Sequence, residues 1–240
     1  MSGTEKLSLT LSNTTIASLD VEDMYPSIKY RLVLSAINFY SERFNEEEMQ
    51  RIDAALEMLK FSMRNTIISF ADKYYECGTS DDPMERGLTI GGYESAWLAD
   101  LVARYVLGKA KDRFADTHYF GIYRDDGCVV FKGPRETEEL TTWLEDFQRE
   151  VNDITESDDD IVFTMSIWKP GGEKEVIPGG KIDVCVEPQL PYLDTELSWN
   201  EDQALCFECH SKPDFEYKYL NKDSFHTSNC KEAVPCGVAI

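Results

Sequence analysis

The stretch from Thr117 to Phe131, THYFGIYRDDGCVVF, decides how this chain folds. Two runs rich in aromatic and β-branched residues, Thr117 to Tyr123 and Cys128 to Phe131, flank the turn Arg124-Asp125-Asp126-Gly127. Its Asp-Gly pair is a hairpin signal. Adjacent carboxylates between two hydrophobic strands repel each other, and a fold gains nothing by placing them there. A divalent cation removes that repulsion, and hard cations such as Mg²⁺ take carboxylate oxygens while keeping waters or substrate phosphates. A solvated Asp-Asp-Gly turn is the plainer reading of the same residues, so the turn needs a partner elsewhere in the chain.

Working outward, Thr14 to Asp20 (TTIASLD) reads as a buried strand that ends on a carboxylate. If it pairs beside the hairpin, Asp20 and Asp125 face each other across neighbouring strands. They could then hold two cations about 3.5–4 Å apart, the spacing of two-metal phosphoryl transfer. Between these acids, Ser27 to Tyr40 has helical periodicity, with Ile28, Leu32, Leu34, Ala36 and Ile37. Asn45 to Glu48 opens a second helix, its acids suited to the positive end of the helix dipole. Ile52, Leu56, Leu59, Met63 and Ile67 follow at helical spacing. Cys77 to Gly92 reads as a loop, and Tyr93 to Arg113 as a helix with Trp97, Leu98, Leu101, Val102, Tyr105 and Val106 on its apolar side. Downstream come an amphipathic helix from Glu136 to Ile154, an acidic turn from Glu156 to Asp160, and a strand from Ile161 to Trp168. Turns at Lys169 to Gly172 and Pro178 to Gly180 precede strands at Val184–Val186, Tyr192–Trp199 and Ala204–His210. Strand, three helices, hairpin, helix, then more strands is neither βαβα alternation nor an all-β pattern. It predicts an α+β sheet with helices on one face.

The 240 residues carry 24 Lys and Arg against 45 Asp and Glu, a formal charge of −21, and 42% are hydrophobic. That is enough apolar material for a core, in one domain or two small ones. No apolar run approaches the roughly 18–20 residues of a membrane helix. No leader pattern follows Met1, so an intracellular protein that makes no use of a membrane is expected. Seven cysteines, an odd number, read there as reduced thiols. Cys206-x-x-Cys209, with His210, His226, Cys230 and Cys236 beyond, raises the question of zinc. Cys230 and Cys236 do not form a tight second pair, and Leu205 to Cys209 reads equally as a strand. The negative charge excludes a simple basic nucleic-acid-binding surface. Much of it is local, at Glu46–Glu48 and from Glu145 to Asp160.

The motifs nevertheless point toward nucleic acid. Ser18 to Ile28 (SLDVEDMYPSI) resembles motif A of reverse transcriptases, an Asp followed five residues later by an aromatic. Gly87 to Ala99 (GLTIGGYESAWLA) resembles their motif B, a Gly-rich loop opening a helix, and Tyr123-Arg124-Asp125-Asp126 resembles motif C, the Y-x-D-D box. Pro191 to Leu197 resembles the primer-grip hairpin. His210-Ser211-Lys212-Pro213, Tyr219-Leu220, Ser224-Phe225-His226 and Pro235-Cys236-Gly237 resemble the tail of Penelope-like element reverse transcriptases. The boxes stand in the family's order across Ser18 to Gly237.

The resemblance implies a polymerase palm: a ferredoxin-like βαββαβ core, an antiparallel sheet with helices on one face, and a C-terminal primer-grip hairpin. It implies a palm over residues 1–200 and a primer-grip or palm-to-thumb connection over 201–240. Fingers and thumb segments are largely missing and would belong to a longer chain. The implied activity is RNA-directed DNA polymerase of a retroelement, with an RNA or DNA template, a primer and deoxynucleoside triphosphates as partners. Two Mg²⁺ ions, with Mn²⁺ as substitute, would be held by Asp20, Asp125 and the backbone carbonyl of Val21, with Asp126 beside them as the third catalytic acid. Tyr25 would stack under the nucleotide sugar and clash with a 2′-hydroxyl, which opposes a third reading, an RNA-templated RNA polymerase. Arg86, Gly87, Gly91 and Gly92 would line the nucleotide. Tyr192 and Leu193 would seat the primer end, and Lys169 or Lys181 would be the general acid for pyrophosphate. Three positions depart from the pattern: Arg86 replaces a usual Gln, Gly92-Tyr93 a small hydroxyl residue and Pro, and Arg124 a small or apolar residue in the Y-x-D-D box. The alternative is an inactive or domesticated reverse-transcriptase-like scaffold that binds protein or RNA.

Overall fold

The computed structural model describes residues 14–76, 82–169, 174–177, 184–187, 189–193, 195–200 and 205–209. The elements are β1 (Thr14–Val21), α1 (Met24–Ser27), α2 (Tyr30–Tyr40), α3 (Glu46–Arg64), β2 (Ile67–Phe70), β3 (Lys73–Glu76), α4 (Ser95–Lys109), β4 (Thr117–Tyr123), β5 (Asp126–Lys132), α5 (Thr137–Thr155), β6 (Phe163–Trp168), β7 (Glu175–Ile177), β8 (Val184–Glu187), β9 (Leu190–Tyr192), β10 (Thr195–Trp199) and β11 (Leu205–Cys209). The fold is mixed α+β. Its main sheet has six strands in the order β4-β5-β1-β6-β8-β7. β1 lies at its centre, antiparallel to β5 on one side and to β6 on the other. The β6–β8 pair is parallel, so the sheet is mainly rather than wholly antiparallel.

Alternation along the strands separates two faces. Ala17, Leu19, Val129, Phe131, Met165 and Ile167 turn toward the helices and bury against Leu32, Val33, Val102, Leu140, Leu144 and Phe147. Full burial of a side chain of this size contributes about 1.5–3 kcal/mol relative to exposure, so this face holds the sheet to its helices. The opposite face carries Ile16, Cys128, Val130 and Trp168, which pack with Leu190 beneath a second, three-stranded sheet ordered β11-β10-β9. Trp168 and Trp199 stack across this contact with centroids 5.3 Å apart. β10 pairs with β11 from Thr195↔Cys209 to Trp199↔Leu205.

Several elements differ from the sequence expectation for local reasons. The helix expected from Ser27 breaks at Ile28–Lys29, because the Tyr30 N–H donates to the Arg86 carbonyl and Lys29 bridges to Gly87. α3 opens as expected, its Asn45 and Glu48 closing a reciprocal capping box, but it stops at Arg64. Ile67 therefore belongs to the β2–β3 hairpin, whose turn residues Ala71 and Asp72 both have positive φ. In the β4–β5 hairpin the two-residue loop is Arg124-Asp125, two positions earlier than the Asp126-Gly127 signal places it. Tyr192 to Trp199 is two strands joined by a turn at Leu193. Trp97, placed on the apolar side of α4 by its spacing, is 74% exposed.

Candidate active site

The geometry begins with the β1–β5 pairing. Ser18 stands opposite Cys128 and Leu19 opposite Gly127, and the Val21 N–H donates to the Asp125 carbonyl at 3.1 Å. The end of β1 is thereby tied to the hairpin loop. Alternation puts Asp20 on the face of Ile16, and Asp126 on the face of Cys128 and Val130, which is the same face of the sheet. Asp20 and Asp125 are exposed and Asp126 is half-buried.

The acids act on one another electrostatically. The Asp20 carboxyl lies above its ordinary value, first through partial burial, then through the negative charges of Asp125, Asp126 and Glu22. All three of those charges push in the same direction. Glu22 was not among the expected site residues, although its position two residues beyond Asp20 was the available signal.

The Gly-rich loop docks on the segment that follows Asp20. The Leu88 N–H reaches the carbonyls of Tyr25 at 2.9 Å and Ile28 at 3.2 Å. A Cβ on Gly87 would fall 2.0 Å from the Pro26 carbonyl oxygen, so only glycine permits this approach. Gly91 has φ +87°, and Gly92 closes the turn by donating to the Thr89 carbonyl. Ser95 Oγ donates to that same carbonyl at 2.8 Å where the loop enters α4. The Tyr25 ring is partly buried against the main core. Arg86 is engaged elsewhere: its guanidinium donates to the Met63 and Arg64 carbonyls at the end of α3 and pairs with Glu76. It acts as a helix cap, which the expectation of a nucleotide ligand did not include.

Tyr192, on β9, stands beside the hairpin. Its hydroxyl is pushed up to about 12, first by burial and then by Cys128, Tyr119 and Asp126. Leu193 occupies the following turn with φ 54° and is 43% exposed. Lys169 follows the end of β6, five residues beyond Thr164, the residue that pairs with Asp20. Lys181, and the expected zinc partners His210, His226, Cys230 and Cys236, lie outside the described residues. Cys206 and Cys209 sit three apart on β11, which turns them to opposite faces of the strand.

Among the described residues, no three His, Cys, Asp or Glu side chains converge closely enough to hold one ion between them. Mg²⁺ does not require such a cage: it is commonly bound through one or two carboxylates plus substrate phosphates. Asp20, Asp125 and Asp126 offer hard carboxylate oxygens, the donor type that this ion takes. Among the described residues, no helix is long and apolar enough to cross a membrane.

No family model matches the chain, and no curated protein matches it. Among solved structures the chain is similar to apo telomerase from Candida Tropicalis truncated from the C-terminal domain, with a TM-score of 0.44 and 10% identity. The similarity covers 84% of this chain and 36% of that chain, so this chain spans little more than a third of that structure.

Proposed function

We propose that the chain is the palm of an RNA-directed DNA polymerase of the kind carried by Penelope-like retroelements. The observation that carries this reading is the meeting of three distant stretches at one place. β1 brings Asp20 against the Asp125–Asp126 hairpin, and the Gly87–Leu88 loop seats on Tyr25, Pro26 and Ile28. The path β1, helices, β4–β5, α5, β6, with strand order β4-β5-β1-β6, supports the reading of a ferredoxin-like palm.

In this reading the primer 3′-hydroxyl attacks the α-phosphorus of a deoxynucleoside triphosphate, and pyrophosphate leaves. Asp20 and Asp125, with the Val21 carbonyl, would hold the cations. When bound, Mg²⁺ or Mn²⁺ supplies Lewis-acid stabilisation of the attacking and leaving oxygens. Asp126 adds negative potential beside them. The Gly91–Gly92 turn would let backbone approach the nucleotide, and Tyr25 would meet the sugar. Tyr192, packed on the same sheet face as Asp126, would seat the primer end.

The test is primer extension on RNA and DNA templates, with deoxy- or ribonucleoside triphosphates, comparing the chain with Asp125→Ala. Template-dependent incorporation of deoxynucleotides, lost in the variant, supports the reading. Extension retained by Asp125→Ala contradicts it. The spread of the carboxylates and the engagement of Arg86 by α3 favour a second reading, a non-catalytic scaffold that keeps the fold. Extension absent from the parent chain in both Mg²⁺ and Mn²⁺ would select it.

A further inference from the structure

Arg124 stands inside the acidic hairpin without serving the acids. The β4–β5 loop has two residues, Arg124 and Asp125, between the paired Tyr123 and Asp126. Only the first has positive φ, 58°, the position at which a two-residue loop of this kind favours glycine. An arginine there carries a steric penalty that glycine would avoid. Local folding therefore does not explain the side chain, and an outlier of this kind directs attention to function.

Among the described residues, no ion pair joins the Arg124 guanidinium to a carboxylate. The charges acting on Asp20 are those of Asp125, Asp126 and Glu22. The Arg124 guanidinium carbon lies 5.4 Å from the centroid of the Tyr123 ring, and that ring is itself 57% exposed. A guanidinium against an exposed aromatic face is braced on one side by a cation–π contact and keeps its N–H donors toward solvent. The planar fork of donors matches the oxygens of a phosphate. In a chain with a net charge of −21, a cation held at the rim of an acid cluster is suited to a polyanion that must come close to those acids.

We propose that Arg124, braced on Tyr123, contacts a backbone phosphate of the primer–template beside the Asp20–Asp125–Asp126 cluster. This rests on the polymerase reading above. Strain at the loop is kept because the side chain anchors nucleic acid where the chain otherwise repels it. Tyr123 is the positioning residue, since it fixes where the guanidinium stands.

The experiment measures the affinity of the full chain for a fluorescent RNA–DNA primer–template by anisotropy between about 50 and 200 mM salt. Wild type is compared with Arg124→Gly, Arg124→Lys and Tyr123→Leu, with extension and thermal midpoint measured on each. Arg124→Gly is expected to bind more weakly on every sequence tried and to lose about 0.9 from the slope of log affinity against log salt, the share of one phosphate contact. Its thermal midpoint should hold or rise, which separates lost contact from lost fold. Arg124→Lys should recover the slope, and Tyr123→Leu should weaken binding with the slope retained. An unchanged affinity and slope in Arg124→Gly, with extension by the wild type intact, overturns this proposal and leaves the polymerase reading standing. A wild-type chain that neither binds at the lowest salt nor extends overturns both.

Discussion

Two acids in this molecule, Asp160 and Asp20, are both held partly out of water, and in both burial is the strongest influence, raising the carboxyl above its ordinary value. Their surroundings have opposite signs. Asp160 pairs with Arg31, whose guanidinium also donates to the Thr155 carbonyl at 2.5 Å and to Glu85 at 3.2 Å. Arg31, Lys29 and the Ser157 hydroxyl all pull Asp160 back down, against a smaller push from Glu85. At Asp20 the neighbouring charges are acids that push it further up. The first site brings its own cation and ties α2 to the end of α5. The sign of the neighbours, more than the fact of a shift, separates an acid that holds the fold from one available for chemistry.

Substitutions break this comparison most sharply at the Asp20 site. Asp20→Ala and Asp125→Ala are each expected to bring primer extension to the detection floor while circular dichroism and thermal unfolding show the fold intact. Extension retained by either variant would remove that acid from the site. At the Asp160 site the loss should fall on stability instead. Arg31→Met leaves the Asp160 carboxylate buried without its cation, which should cost about 3 kcal/mol in denaturant unfolding. Asp160→Asn should cost less, because Arg31 retains Thr155 and Glu85. Equal costs for the two would contradict the asymmetry.

The loop that seats on the Asp20 site gives a third, smaller effect. Gly87→Ala must displace the Pro26 backbone, at a cost of about 2–3 kcal/mol, together with a loss of extension. A variant as stable as the parent would show that the loop is not docked there.

The smallest effect is in pH dependence. Both carboxyls are raised in the fold, so near the ordinary value of 3.8 the folded chain still binds protons that the unfolded chain has released. Their stabilising influence is fully present below that value and fades as pH rises through the shifted one. Asp20→Asn removes its share, so without divalent cation it should unfold at a slightly higher temperature than the parent at neutral pH and show a flatter profile above about pH 4. A lower midpoint at neutral pH would contradict the repulsion.

Much of this was legible in the residues alone. The apolar runs flanking Arg124 and Asp125, the strand ending on Asp20, and the periodicity of α4 and α5 are strong local patterns, and each forms the element expected. The Asp20 strand and the hairpin were expected to be neighbours, and β1 pairs with β5. What escaped was non-local or weakly marked. The Ala71-Asp72 turn carries no Gly or Asn, so β2 beyond Ile67 and all of β3 drew no assignment. Arg86 gave no sign that its partners would be carbonyls more than twenty residues earlier. Trp97 has the spacing of a core residue, but α4 turns it outward.

Cation binding tests the central claim most directly. Thermal unfolding of the parent chain, Asp20→Asn, Asp125→Asn and Asp160→Asn would be followed across a Mg²⁺ or Mn²⁺ titration. Binding to the folded state alone adds about 1.4 kcal/mol at ten times Kd, a rise of about 2–4 °C per kcal/mol for a chain of this size. The account predicts that rise in the parent and in Asp160→Asn, and its loss in Asp20→Asn and Asp125→Asn. No rise in the parent, or the same rise in all four, would contradict it.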